Sequence, residues 1–376
     1  MQRLTIAIDS FKGSLSSREV AEAFAEGWRE VLPDCEIATL PIADGGEGTL
    51  EALVGAMGGE YIEVCVHDPL LRPIKAKYGI IGEGHTAIIE LASASGLTLL
   101  REGERNPMET STYGTGEMVA DAVKRGCRRV LMCIGGSATN DCGVGILRAL
   151  GYRFLDGRGC EVEGRGKDLA RIEYIDDAQR IAALGECEFV VACDVTNPLC
   201  GELGAAHIFA PQKGADASMV EALDRGLRNF ACVVERYNGC SIGEMEGAGA
   251  AGGVGGGLHA ILHAQLKRGI DMVLETIGFD QRIEGSDLVI TGEGRLDSQT
   301  LMGKAPSGVL AAAQRQNIPV IAIGGAVEWC DELRNSGFRH IECVTPEGMG
   351  KKEAMTPAIA KENVRDTARR IAQRYR

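Results

Sequence analysis

The run Leu4-Thr-Ile-Ala-Ile-Asp-Ser-Phe-Lys-Gly-Ser-Leu-Ser-Ser-Arg-Glu19 opens the chain with an apolar stretch, breaks into a polar loop and ends on a helix start. Leu4–Ile8 is short and apolar without alternation, as a strand buried on both faces requires. Ser16 stands three residues before Glu19, the spacing of a capping box. Val20, Phe24, Trp28 and Val31 then fall on one helical face, and Pro33 ends the run. The unit is therefore strand, loop, helix.

The same grammar repeats outward from this stretch. A second strand, Ile37 to Leu40, ends in Pro41-Ile-Ala-Asp-Gly-Gly46 and leads into another helix. Near the C-terminus, Asp287-Leu-Val-Ile-Thr291 reads as a buried strand, and a helix after Pro306 leads to Val320-Ile-Ala-Ile323. Ile341 to Val344 is a last short strand, before a helix with Thr356 at its cap and Pro357 in its first turn. These are five βα units, two at the start and three at the end. The fold class expected is α/β, with a discontinuous flavodoxin-like domain of five parallel strands in the order 2-1-3-4-5. Between them, Tyr61 to Leu100 reads as several strands without intervening helices, a mixed-sheet signature. The expected division is residues 1–60 plus 281–376 for the flavodoxin-like domain, with an inserted second α/β domain of mixed sheet at 61–280.

Composition narrows the function classes. Of the 376 residues 45% are hydrophobic and 25% charged, the balance of a globular protein. The net charge of −13 argues against nucleic acid as a partner, since phosphate backbones require clustered Lys and Arg. No apolar run reaches the length of a bilayer span, and no signal peptide precedes the first strand, so a cytoplasmic protein is expected. The thirteen cysteines include no C-x-x-C pair, which points to free thiols rather than zinc or disulfides. A homo-oligomer is left open.

In a doubly wound sheet, ligands bind beyond the carboxyl ends of the strands. Five polar loops occupy such positions. Asp9-Ser-Phe-Lys-Gly-Ser14 offers a carboxylate, hydroxyls and Lys12; it also serves as an ordinary strand-to-helix turn. In Ala43-Asp-Gly-Gly-Glu-Gly-Thr49, Gly45 and Gly46 let backbone amides approach an anion, and Asp44 and Glu47 suit a hard cation such as Mg²⁺. Ile134-Gly-Gly-Ser-Ala-Thr-Asn-Asp141 packs Ser137, Asn140 and Asp141 into one turn, although an Asx turn would use the same residues. Asp194 ends the apolar strand Val190–Cys193, a place for a restrained general base. Lys213, in Gln212-Lys-Gly-Ala215, is weak by itself. Thr291-Gly-Glu-Gly-Arg-Leu-Asp-Ser-Gln299 brings Glu293, Arg295 and Asp297, and the strand order places it beside Asp9 and Lys12.

Other signals weigh less. Gly247-Ala-Gly-Ala-Ala-Gly252 matches G-x-G-x-x-G but has no strand before it, so a glycine-rich helix entry is the better reading than an NAD site. His259 and His263 lie one turn apart without a third ligand nearby. No Walker A loop is present, and Gly303-Lys-Ala305 does not supply one.

The loops together resemble a known family. IDSFKGSLS at 8–16, ADGGEGT at 43–49, ELASASGL at 90–97, IGGSATND at 134–141, CDVTNPLCG at 193–201, PQKGA at 211–215, GAGAAGG at 247–253, DLVITGEGRLDSQT at 287–300 and GKAP at 303–306 are similar to the bacterial glycerate kinases of the glucarate and glyoxylate pathways. Against that pattern, proline is expected where Ile8 stands and glycine where Cys142 and Ala210 stand, and Glu347–Lys352 is unusual.

The resemblance implies ATP-dependent phosphorylation of D-glycerate, most simply to 2-phosphoglycerate, with ATP and Mg²⁺ as cofactors. Within those motifs Lys12, Asp194 and Asp297 are the expected catalytic residues. Ser10, Gly45, Gly46, Ser137, Asn140, Asp141, Lys213 and Arg295 are expected to bind substrate or nucleotide, and Asp9, Asp44 and Glu293 to hold the metal. Three alternatives stand beside this: a 3-phosphoglycerate product, an NAD-dependent hydroxy-acid dehydrogenase, and a non-catalytic metabolite sensor.

Overall fold

A computed structural model describes all residues, 1–376. In chain order the strands are β1 (Arg3–Ile8), β2 (Glu36–Thr39), β3 (Gly59–His67), β4 (Pro73–Ile81), β5 (Thr86–Glu90), β6 (Arg129–Cys133), β7 (Arg153–Leu155), β8 (Tyr174–Asp176), β9 (Glu188–Ala192), β10 (Gln265–Lys267), β11 (Leu288–Leu296), β12 (Val320–Val327) and β13 (His340–Cys343). They form a five-stranded sheet, β13-β12-β11-β1-β2, a six-stranded sheet, β10-β9-β6-β5-β4-β3, and the small hairpin β7-β8.

Every pairing in the five-stranded sheet is parallel. Numbered by sequence within that sheet, the order is 2-1-3-4-5, as the count of βα units requires. Leu4, Ile6, Ile8, Leu288, Ile290, Ile321 and Ile323 are fully buried in its centre. The helix Ser17–Arg29 begins on the capping box of Ser16 and Glu19 and buries Val20, Phe24 and Trp28. The last helix, Pro357–Ala372, lies across it so closely that a Cβ at Gly27 would meet the Arg365 carbonyl at 2.3 Å. Arg369 and Lys361 tie the two helices through Glu30 (2.6 Å) and Glu19 (2.9 Å). Thr356 holds the cap position of that last helix without a side-chain cap bond.

β11 is longer than the sequence indicates. It runs through Thr291-Gly-Glu-Gly-Arg-Leu296, expected to be loop, because β12 continues alongside it as far as Leu296↔Val327. Pairing with β1 stops at Ile8↔Gly292, so the extension has a partner on one side only. Gly292 must be glycine here, since a Cβ would meet the Ile323 carbonyl at 2.2 Å.

The chain divides into two compact units. One comprises Met1–Asp44, Glu51–Met57 and Arg268–Arg376, the other Gly45–Leu50 and Gly58–Lys267. The boundaries at 60 and 281 are therefore corrected. The helix Gly269–Thr276 belongs with the first unit because Ile270 packs directly onto Gly308 of the helix Ala305–Arg315. Conversely, Gly48 and Leu50 are held to the second unit by Glu90 at the end of β5.

In the second unit β3, β4 and β5 form an antiparallel meander, and β5, β6, β9 and β10 pair in parallel. This is the mixed sheet expected between the terminal segments. Val130, Met132, Phe189 and Val191 of its central strands are buried in that unit's core.

Candidate active site

In the first unit the residues beyond β1, β11 and β12 line a cavity of about 760 Å³. It lies at the switch point between β1 and β11, where strand order reverses and ligands of such sheets bind. Asp9, Ser10, Lys12, Asp44, Glu293 and Arg295 all line it. The sequence motifs thus converge within one unit for six of the expected site residues.

Asp9 sits one residue past β1, is 3% exposed and accepts the Ser10 amide at 2.6 Å. Burial, and then the neighbouring Asp44, push its carboxyl up to about 7. Glu293 is also buried; it accepts the Thr300 hydroxyl at 2.7 Å, and burial raises it above the usual carboxylate range. Lys12 lies 3.6 Å from Asp44 with its side chain 62% exposed. Burial opposes its charge, but Asp44, Asp9 and Glu293 together raise its pKa.

Two of the expected residues serve the fold. Asp297 caps the turn Ser298–Leu301, accepting the Gln299 amide at 3.0 Å, and is absent from the cavity lining. It also lies 3.8 Å from Lys304. Arg295 lines the cavity, but its guanidinium pairs with Glu328 and lies 3.4 Å from Asp297.

Lys304 was missed. It enters the cavity 3.7 Å from Glu293, at the N-cap of Ala305–Arg315. Gly303-Lys-Ala-Pro306 puts a lysine directly ahead of a proline-started helix, a phosphate-site arrangement that the Walker pattern does not describe.

The second unit treats its polar turn differently. Asp141 is wholly buried and accepts the Thr112 amide (2.7 Å), the Thr112 hydroxyl (2.8 Å) and the amides of Gly143 and Gly145 (both 3.2 Å). Its carboxylate organises the turn, with three of the four bonds on Oδ2 and one on Oδ1. Lys213, only 2% exposed, donates to the Ser137 hydroxyl at 2.8 Å and the Thr139 carbonyl at 2.7 Å. Burial lowers its pKa to about 7 although Asp141 opposes the shift. Asn140 is fully buried, and its amide makes no hydrogen bond within the chain. Asp194 is exposed two residues past β9.

Three residues on from Gly45, an acid of the chain occupies the start of the following helix. Glu90 Oε1 accepts the amides of Gly48 and Leu50, both at 3.1 Å, at the start of the helix Thr49–Met57. A carboxylate of the chain thus takes the place at the helix N-terminus that a phosphate would take. Glu90 opens the ELASASGL motif, and nothing in its local sequence shows that it reaches this loop. The glycines at 247–253 serve close packing. A Cβ at Gly249 would meet the Pro198 carbonyl at 2.3 Å, and one at Gly252 the Thr139 carbonyl at 2.1 Å. His259 bonds the Ala264 carbonyl at 2.9 Å.

The model of the glycerate kinase family matches residues 4–376. Glycerate kinase of Bacillus subtilis is 45% identical over 371 residues, covering 98% of this chain and 97% of that protein. Glycerate 2-kinase of Escherichia coli is 44% identical over 325 residues, 86% of this chain and 85% of that protein. A crystal structure named for glycerate kinase 2 of Salmonella typhimurium superposes with a TM-score of 0.92 at 42% identity, covering 100% of this chain and 98% of that one. On a match that spans nearly every residue, the chain belongs to the glycerate kinase family.

Proposed function

We propose that the chain transfers the γ-phosphoryl group of ATP to the C2 hydroxyl of D-glycerate, giving 2-phosphoglycerate and ADP. The observation that carries the reading is the switch-point cavity, where buried acids and two lysines meet in a member of the glycerate kinase family. Phosphoryl transfer needs positioning and neutralised charge more than covalent chemistry. Lys12 and Lys304 supply positive charge at this end of the cavity.

Mg²⁺ fits the remaining groups. Burial first, and then the neighbouring Asp44, raise Asp9 to about 7, and a divalent cation would offset the part of that shift that is like-charge repulsion. Such an ion keeps several of its waters and takes one or two carboxylates plus phosphate oxygens. When bound, it would neutralise the phosphate oxygens.

The regiochemistry follows from positioning. A glycerate whose carboxylate is clamped holds its C2 hydroxyl at a fixed short distance, while the C3 hydroxyl rotates away. The Escherichia coli relative bears the name 2-kinase. We propose Asp194 as the base from its place at the end of an apolar strand in the CDVTNPLCG motif: it would accept the hydroxyl proton as the C2 oxygen bonds the γ-phosphorus and the β–γ bridge breaks toward ADP. Enolase coupling tests the product. Signal with enolase alone is expected; signal that needs added mutase would make the product 3-phosphoglycerate. Asp194→Asn should lower kcat about 100-fold or more, with ADP affinity retained in calorimetry.

A further inference from the structure

The cavity is too large and too apolar at one end for glycerate alone. Lys12, Glu293 and Lys304 line it beside β1 and β11, and it extends along the ends of β12 and β13, where Glu328 and Lys351 border it. There it is walled by Ala326, Val327, Cys343, Met349, Ala354 and Met355. A three-carbon hydroxy acid has no apolar surface to match such a wall. A planar heteroaromatic ring does, and thioethers pack favourably on aromatic rings. The two methionines are held in place: Met349 Sδ takes the Asn363 amide at 3.4 Å, and Met355 Cε lies where it would be 3.1 Å from a Cβ at Gly13. Thr345 donates to the Gly325 carbonyl at 2.5 Å, fixing the end of β13 against β12. The segment Glu347–Lys352, which departs from the family pattern, contributes both Met349 and Lys351 to this wall.

Resting on the reading of the chain as an ATP-dependent kinase, we propose that this apolar end is the site of the nucleotide base. The phosphates then run from Met349 and Met355 toward Lys12 and Lys304, with the γ-phosphate at the switch point. The volume of about 760 Å³ falls within the range of small-molecule and cofactor sites.

Methionine methyl NMR tests the proposal without turnover. The chain has eleven methionines, and Met349→Leu and Met355→Leu assign the two signals. ADP should move both by ring current, whereas inorganic tripolyphosphate and D-glycerate should leave both nearly in place. The double variant Met349→Ala, Met355→Ala should raise the KM for ATP about tenfold, a loss of roughly 1.4 kcal/mol, with the KM for glycerate unchanged. ADP that binds in calorimetry while neither methyl moves would overturn the base site and leave the kinase reading standing. Equal shifts with tripolyphosphate would overturn it too. ADP that does not bind at all would overturn both.

Discussion

The first unit leaves Lys12 with a 62% exposed side chain beside Asp44, whereas the second encloses Lys213, 2% exposed, between Ser137 and Thr139. Lys12 follows the carboxyl end of β1, Lys213 the helix Ala205–Phe209, and each stands next to a glycine. Their neighbours differ. Lys12 faces three carboxylates that raise its pKa, while burial lowers that of Lys213 to about 7. The acids show the same contrast. Asp9 lines an open cavity, and Asp141 is bonded by the Gly143 and Gly145 amides of its own loop and by Thr112 from a distant segment. A polar residue that the fold has already satisfied is a poor ligand, and one held against like charge is primed for a cation or phosphate.

The largest expected difference follows from this contrast. Lys12→Ala should lower kcat/KM for ATP by about 100- to 1000-fold, the usual effect of removing a charge-stabilising group, while the melting temperature stays within a degree or two. Lys213→Ala should do the reverse in kind. It strips the Ser137 hydroxyl and the Thr139 carbonyl of their buried donor, at a cost of about 1–3 kcal/mol in stability. If both variants lose activity without loss of stability, the division between an open charged site and a self-satisfied turn is wrong.

A smaller effect lies in the pH dependence of stability. Asp9 is raised from 3.8 to about 7, so between those values the native state holds a proton that the unfolded chain has released. Stability therefore falls as pH rises from about 4 to 7 on account of Asp9, by up to roughly 4 kcal/mol. Lys213 is lowered from 10.5 to about 7, so between those values the unfolded chain holds the extra proton and stability rises with pH. Asp9→Asn should flatten the lower limb of a denaturant-derived stability curve, and Lys213→Met the upper limb. An Asp9→Asn curve that keeps its acid-side slope would show that another carboxylate carries it.

The legible part of this molecule is the part set by local pattern. Alternation of apolar strand and capped helix was enough for the five-stranded sheet, because Leu4, Ile6 and Ile8 on one face of β1 and Thr5 and Ala7 on the other are all fully buried, which requires cover on both faces. Strand order then placed Glu293 beside Asp9. What was hidden depends on distant partners. Glu90 reaches the Gly48 and Leu50 amides across some forty residues, and Thr112 fills Asp141 across twenty-nine. No spacing rule joins those pairs. Lys304 was hidden for another reason, since the motif test applied to it belongs to a different phosphate-binding architecture.

The smallest expected effect concerns the turn that Asp141 organises. Cys142 follows it with φ of 54°, a left-handed conformation that costs a residue with a side chain about 1–2 kcal/mol. The first unit meets the same need with glycine, at Gly13 with φ of 78°. Cys142 keeps a fully buried thiol that donates to the Gly253 carbonyl at 3.2 Å, so the strain is offset by packing. Cys142→Ala and Cys142→Gly both lose the sulfur, and they differ mainly in backbone freedom. At an ordinary position glycine is the worse of the two by about 0.5–1 kcal/mol. Here the left-handed backbone should cancel or reverse that order, leaving the glycine variant at least as stable as the alanine variant. Paired urea titrations measure it. Alanine more stable by a full kcal/mol would mean that the turn relaxes out of the left-handed region, and that the rigidity ascribed to the second unit's loop is overstated.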